Sequence, residues 1–312
     1  MVIDAHTHIY RKIKGFCKDG SVVGLSFGKA KQGEHVISVL PPLNKHVEHT
    51  PEMLVATMDE TGVEKAVLLQ GPFYGECNNY VAMAVPKYRE RFVGMAYIDL
   101  WIKGFCDIFG QIIRRNIFRG FKIEFSEPTG LFGIHCGISL LDESIAWLCT
   151  EMERKGLTLT LDLGAPGTGS YQTGAVRKLA LEHPNLKIVI CHLGQPGSLL
   201  DNKLSDLWKD QILLGLLPNV WFDTASIPAY FSNERYPFTE GMKYFKYGID
   251  MIGAGKIMWG TDTPGLLLHA AYGQLIQLGD IFTGDLTSDD KKEVLYDNAL
   301  KVYFDYPGIK SI

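Results

Sequence analysis

One feature limits the fold more than any other. From end to end of the 312-residue chain, short apolar runs bounded by turns alternate with helical patterns. The strand candidates are 2–9 (VIDAHTHI), 64–70, 92–99, 119–125, 157–164 (LTLTLDLG), 186–194, 219–226 and 256–265. Helical patterns separate them at 50–62, around 78–90, and at 104–116, 142–156, 173–183, 198–214, 239–253 and 266–279, with a last helix near 294–304. The first is signposted by Thr50 as N-cap and Pro51 at the first helical position. About eight such units predict a (β/α)8 TIM barrel with no separate β-domain, one domain spanning 1–312. An open doubly wound sheet is the alternative, but no glycine-rich dinucleotide turn follows the first strand. Residues 10–50 are expected to form a long loop, a lid or an oligomer contact, and 287–312 a closing helix and tail.

Composition narrows the function classes. With 46% hydrophobic residues and a formal net charge of -4, the chain has ample surface to bury and no basic footprint for nucleic acid. Cys17, Cys77, Cys106, Cys136, Cys149 and Cys191 are scattered without a CxxC pair, which favours reduced thiols and a cytoplasmic setting. No signal peptide precedes MVIDAHTHIY, and no apolar run is long enough to span a bilayer, so neither membrane nor nucleic acid is an expected partner. The expected partner is a small-molecule substrate.

A barrel gathers chemistry at the C-terminal ends of its strands. Here those ends carry His6 and His8, Lys122 and Glu124, Asp162, His192, Asp223 and Asp262. The two-residue period turns both imidazoles of His6-Thr7-His8 to one side. Any one of these has a bland reading: an HxH pair as packing, a strand-end aspartate as a helix cap. Together, buried imidazoles and carboxylates would be costly unless paired or metal-bound, and a divalent ion is the economical account. In LTLTLDLG, Leu157, Leu159, Leu161 and Leu163 share one face, and Thr158, Thr160 and Asp162 the other.

These residues resemble the amidohydrolase superfamily, in particular the amidohydrolase-related branch that includes aminocarboxymuconate-semialdehyde decarboxylase. The resemblance rests on IDAHTH (3–8), CHLG (191–194), FDTAS (222–226), GTDTP (260–264) and YDNALKVY (296–303), and it covers essentially the whole chain. It implies that His6 and His8 are metal ligands and that Asp262 is a metal ligand or an acid/base beside the metal. It implies that His192 polarises substrate or moves a proton. One divalent ion is implied, zinc first, with manganese or iron as alternatives, and dimers are common in the branch.

The branch usually has a metal-binding histidine where this chain has Asp162. Asp162 then has three readings: a carboxylate ligand, a group that orients a ligand or water from behind, or the mark of a degraded metal site. A binuclear site bridged by carbamylated Lys122 is disfavoured, because the fifth-strand histidine it needs is missing.

The leading expectation is hydrolysis of a small cyclic substrate such as a lactone, lactam, cyclic amide or cyclic ketone. The metal would acidify water and polarise the carbonyl, Asp262 would move the proton, and His192 would stabilise the oxyanion. The alternatives are a non-oxidative decarboxylase or hydratase of an aromatic or unsaturated acid, and a non-catalytic barrel that has lost its metal. An anionic substrate would want a cationic clamp, for which Arg11 and Arg235 are candidates. Glu124 and Lys122 are further substrate-binding candidates. Trp101, Phe73, Tyr74, Tyr230 and Phe231 could wall the pocket. His35, His46 and His49 are expected at the surface.

Overall fold

The computed structural model describes residues 1–197 and 201–305. In chain order the strands are β1 (Val2–Thr7), β2 (Lys14–Cys17), β3 (Gly20–Gly24), β4 (Lys29–Gln32), β5 (His35–Ser38), β6 (Val63–Leu68), β7 (Phe92–Tyr97), β8 (Phe118–Glu124), β9 (Thr158–Asp162), β10 (Lys187–Ile190), β11 (Val220–Asp223) and β12 (Ile257–Met258). Eight of them form one parallel sheet in the order β1-β6-β7-β8-β9-β10-β11-β12, with helices in the connections. The ends of that sheet meet: Ala5 N–H donates to Trp259 O at 2.9 Å and His8 N–H to Thr263 O at 2.7 Å. The result is the (β/α)8 barrel that the alternation predicts.

Strand periodicity divides the core in two. The outer faces, with Leu159 and Leu161 of β9, pack against the helices through residues such as Leu148, Met152 and Leu179. The inner faces supply Ile3, Ala5, Val67, Met95, Val189 and Met258 to a second cluster, completed by Tyr296, Val302 and Tyr303 of the last helical segment. That segment plugs the barrel floor. Thr158 Oγ1 donates to Val302 O at 2.9 Å, and Thr160 Oγ1 lies 2.9 Å from the Tyr303 hydroxyl. The threonines of β9 therefore face inward at the bottom, and Asp162, two residues on, faces inward at the top.

Asn298 locks the plug by donating to Ala254 O at 2.7 Å and Ile257 O at 2.8 Å, both contacts buried. Asn298→Ala strands both carbonyls. It is expected to cost about 2–4 kcal/mol in urea unfolding, because each orphaned buried polar group costs about 1–3 kcal/mol.

Local signals explain most element ends. The helix Pro51–Thr61 starts where Thr50 Oγ1 accepts from Met53 N–H at 3.2 Å and stops at Gly62, whose φ is 71°. The pattern at 266–279 resolves into a short turn, Gly265–Leu268, and a helix, Tyr272–Phe282. The pattern at 198–214 is a helix over Asn202–Ile212, capped by Asp201, which accepts from Leu204 N–H at 2.9 Å. Its expected start at 198–200 and the tail 306–312 lie outside the described residues. Among the described residues, no helix is long and apolar enough to cross a membrane.

The stretch 10–50 is not the loop expected from sequence. β2 to β5 form a four-stranded antiparallel meander inserted after β1. One face buries Cys17, Val22 and Ala30 with Tyr10, Ile13, Leu40 and Val47. The strands are short and rich in glycine and lysine, so their alternation is too brief to read. β2 lies flat on the 72–75 loop: Lys14 N–H donates to Tyr74 O at 3.2 Å and Phe16 N–H to Pro72 O at 2.9 Å. A Cβ at Gly15 would stand 2.1 Å from Phe73 O, so only glycine permits this approach.

Candidate active site

At the mouth of β1, His6 and His8 are buried with their Nδ1 atoms tied back. His6 Nδ1–H donates to Asp223 Oδ2 and His8 Nδ1–H to Leu69 O, both at 3.0 Å. A carboxylate and a carbonyl only accept, so each Nδ1 carries the proton and each Nε2 offers a lone pair. Asp262 Oδ1 faces both lone pairs, 2.9 Å from His8 Nε2 and 3.6 Å from His6 Nε2. Acceptors this close need a cation between them. A proton is a poor candidate, because burial pushes both imidazoles down, His6 to about 4. A divalent ion fits: the donor atoms of His6, His8 and Asp262 lie within 4.8 Å of one another, and the back contacts orient both rings.

A second trio, His6, Cys191 and His192, also lies within that distance, but it fits poorly. Burial pushes the Cys191 thiol well up, and both ring nitrogens of His192 are already engaged.

Asp162 engages His192. The His192 Nε2 stands 2.8 Å from Asp162 Oδ2, and its Nδ1 stands 3.2 Å from Ala225 O. Both partners accept, so both nitrogens carry protons and the ring is an imidazolium. Burial opposes that charge, but Asp162, with help from Asp262 and Asp223, outweighs it and lifts His192 to about 9. Burial likewise pushes the Asp162 carboxyl up, and His192, Lys122 and the Gly164 N–H outweigh it and hold it far below the usual range. The other Asp162 oxygen accepts from Gly164 N–H at 3.0 Å and Gln195 Nε2 at 3.1 Å. Of the three readings of Asp162, the structure favours the one that sets it behind the ligands: its oxygens are engaged by His192, Gly164 and Gln195, and it does not join the His6–His8–Asp262 trio.

The chain reaches this geometry through a left-handed turn. His192, Leu193, Gly194 and Gln195 all have positive φ, at 63°, 49°, 66° and 55°. Each non-glycine residue there costs about 1–2 kcal/mol. The surroundings hold it: His192 N–H donates to Asp223 Oδ1 at 2.8 Å, Trp208 Nε1–H to Leu193 O at 2.8 Å, and the Tyr171 hydroxyl to Gly194 O at 2.9 Å. The turn brings His192 and Gln195 onto one carboxylate.

Asp262 is also held in the left-handed region, at φ 59°, with its N–H donating to His6 O at 2.8 Å and its Oδ2 accepting from the Ser226 hydroxyl. Beneath it, Asp4 accepts from Thr261 N–H at 2.9 Å, Thr261 Oγ1 at 2.7 Å, Tyr272 OH at 3.2 Å and His6 N–H at 3.3 Å. Burial pushes the Asp4 carboxyl up to about 7 against those bonds. Asp4 thereby braces the two strand ends that carry His6 and Asp262.

Lys122 and Glu124 end β8 side by side, with Nζ 3.0 Å from Glu124 Oε2 and 3.5 Å from His6 Nε2. Burial would lower Lys122, but the neighbouring carboxylates, Glu124 first and then Asp162 and Asp262, reverse it, so it stays an ammonium. Burial and the neighbouring Asp162 push the Glu124 carboxyl up, while Lys122 and the Ser126 hydroxyl, which donates at 2.6 Å, pull it back.

His8, Lys122, Glu124, Asp162, His192 and Asp262 open into a cavity of about 320 Å³, at the small end of ligand pockets, while His6 and Asp4 do not line it. Its walls include Phe73, Tyr74 and Tyr230 as expected, and Tyr74 lies against His8 with ring centroids 4.9 Å apart. Trp101 is not among them. It donates from Nε1 to Asp142 Oδ2 at 2.8 Å and packs on Phe125 and His135. Phe231 is core. Arg11 and Arg235 do not line the cavity either, and Arg11 borders a different cleft. The buried cations of the site are Lys122 and His192. His49 is buried rather than on the surface: its Nδ1 pairs with His8 O at 2.7 Å.

The sequence reading assigned no role to Gln195, Ser226 or Ser126. Their only signal is nearness to the strand-end residues they serve.

The amidohydrolase family model matches residues 3–304. Comparison with curated protein sequences gives no match. Among solved structures, a zinc-bound amidohydrolase from Burkholderia multivorans is similar with a TM-score of 0.72 at 15% identity, covering 97% of this chain and 99% of that one. A probable 2-pyrone-4,6-dicarboxylic acid hydrolase from Acinetobacter baumannii, with citric acid bound, gives 0.68 at 15% identity and the same coverage. The 5-carboxyvanillate decarboxylase from Sphingomonas paucimobilis gives 0.53 at 17% identity over 80% of this chain and 82% of that one. At these identities the neighbours share the fold, and the family match across nearly the whole chain makes this protein a member of the amidohydrolase family.

Proposed function

We propose that the protein is a metal-dependent hydrolase of a small cyclic substrate, such as a lactone, that carries a carboxylate. The observation that carries this reading is the convergence on one small cavity of Asp262, from the candidate metal-binding trio, with the buried cations Lys122 and His192. His6, His8 and Asp262 would hold the ion, and two histidines with a carboxylate suit zinc first, with manganese or iron as alternatives. When bound, the ion would polarise the scissile carbonyl and make water more acidic.

The chain's own groups do the rest. Asp262 accepts the proton of the attacking water and passes it to the leaving oxygen. The Ser226 hydroxyl holds the second Asp262 oxygen, so the carboxylate keeps its aim. Both N–H groups of His192 are spent on Asp162 and Ala225, so His192 acts chiefly through its charge. Lys122 has protons beyond its bond to Glu124 and is the donor to the developing oxyanion. Phe73, Tyr74 and Tyr230 give the ring an apolar slot.

The second reading is decarboxylation of an unsaturated or aromatic acid. It is favoured by the buried Glu124, whose raised carboxyl could deliver a proton to carbon. Assaying the purified protein with a panel of carboxylated lactones and aromatic acids separates the two. Acid release without carbon dioxide supports hydrolysis; stoichiometric carbon dioxide would replace it with the lyase reading.

Metal removal is a further test. Dialysis against dipicolinate is expected to abolish turnover and lower Tm, and one equivalent of zinc or manganese to restore both. Full turnover in metal-free protein would remove the ion from the reaction.

A further inference from the structure

Arg11, singled out by the sequence but absent from the catalytic cavity, belongs to a second cleft of about 400 Å³. Arg11, Lys12 and Lys14 from the chain leaving β1 line it together with His46 from the segment that returns to the barrel. Its floor is apolar. Ile13 and Val47 are buried there, and Gly24, which donates to Ile13 O at 3.0 Å, packs directly against them. A Cβ at Gly24 would meet Ile13 at 3.4 Å and Val47 at 3.5 Å. Val23 and Leu25 form a shoulder that is nearly half exposed, at 42% and 48%.

The charge is one-sided. Arg11, Lys12 and Lys14 have no hydrogen-bond or ion-pair partner for their side chains among the described residues, and Glu48 is the single carboxylate lining the cleft. The chain as a whole has a formal net charge of -4, so this is a local reversal of sign. A cleft with an excess of positive charge beside apolar side chains concentrates anions and gives an apolar body somewhere to rest. It shares no lining residue with the catalytic cavity.

We propose that this cleft binds a small amphipathic anion. Its carboxylate, sulfonate or phosphate head would sit among Arg11, Lys12 and Lys14, and its apolar body over Ile13 and Val47 beside Val23 and Leu25. The site stands apart from the catalytic reading and does not depend on it.

The probe is 8-anilinonaphthalene-1-sulfonate, titrated into the full chain at low salt and followed by its fluorescence, with inorganic pyrophosphate as competitor. Saturable one-to-one binding is expected, displaced by pyrophosphate and weakened about tenfold or more in the Arg11→Ala/Lys12→Ala variant. Binding should also weaken in 0.5 M sodium chloride. Both side chains are exposed and unbonded, so the variant should keep the parent's circular dichroism and Tm. Leu25→Ser should weaken the dye and spare pyrophosphate. His192→Ala, in the other cavity, should leave dye binding unchanged. An unaltered titration in the double variant, loss of binding in His192→Ala, or no saturable site in the parent would each overturn the proposal.

Discussion

Asp262→Asn is expected to lower kcat by about 10²–10⁴-fold, the range for losing a positioned proton-transfer group. The same change should reduce metal occupancy, because an amide oxygen is a weaker ligand than the carboxylate that now faces His6 and His8. The fold should survive. Asp262 sits at a strand mouth, and the backbone there is held by its own N–H to His6 O and by Asp4 on Thr261. Kinetics and elemental analysis of the same preparation check both effects. A variant that turns over at the parental rate would end the assignment of Asp262 as the base.

Asp162→Asn should be the next most damaging change, and it separates the readings that the sequence leaves open for this residue. The amide can still accept from His192 Nε2–H, but it brings no charge. Burial then dominates and the imidazolium loses its proton. kcat/KM should fall by about 10²–10³-fold, as when a preorganised electrostatic contact is removed, while metal content stays at the parental level. Loss of metal in this variant, with activity rescued by excess zinc, would instead make Asp162 a ligand.

The pH profile adds a signature that a purely structural role would not move. Burial lowers and Asp162 raises His192, with a net value of about 9 against an ordinary 6.5. Activity that needs the imidazolium should therefore persist to about pH 9 in the parent and fall away at lower pH in the variant. Stability follows the same sign. A raised histidine contributes fully below its ordinary 6.5, and the contribution is lost as pH rises from there through about 9. Asp162 contributes above its ordinary 3.8 and loses that contribution on acidification. Urea unfolding of parent and variant at pH 6 and pH 10 should show the gap between them narrowing at the higher pH.

Much of this was legible without coordinates. The alternation of strands and helices is a local signal repeated along the chain, and it specified the barrel. The period of two placed His6 with His8, and Thr158 and Thr160 with Asp162. The barrel rule that strand ends form the site then assembled the remaining candidates.

Two kinds of feature escaped. The meander did, because strands only four or five residues long, three of them interrupted by glycine or lysine, carry too little hydrophobic period. Arg11 and Trp101 were misplaced because a loop's position in sequence does not say which way its side chains turn. His49 was misjudged because its burial depends on pairing with His8, 41 residues away.

The sequence by itself determined the architecture and nominated the strand-end residues as candidates, since both follow from periodicity along the chain. Only the tertiary structure decided what those residues touch. Whether Asp162 holds a metal or a histidine depends on hydrogen bonds between β9 and the left-handed turn after β10, 30 residues apart. No local pattern encodes such a contact, because it forms only when the barrel closes and brings the strand ends together.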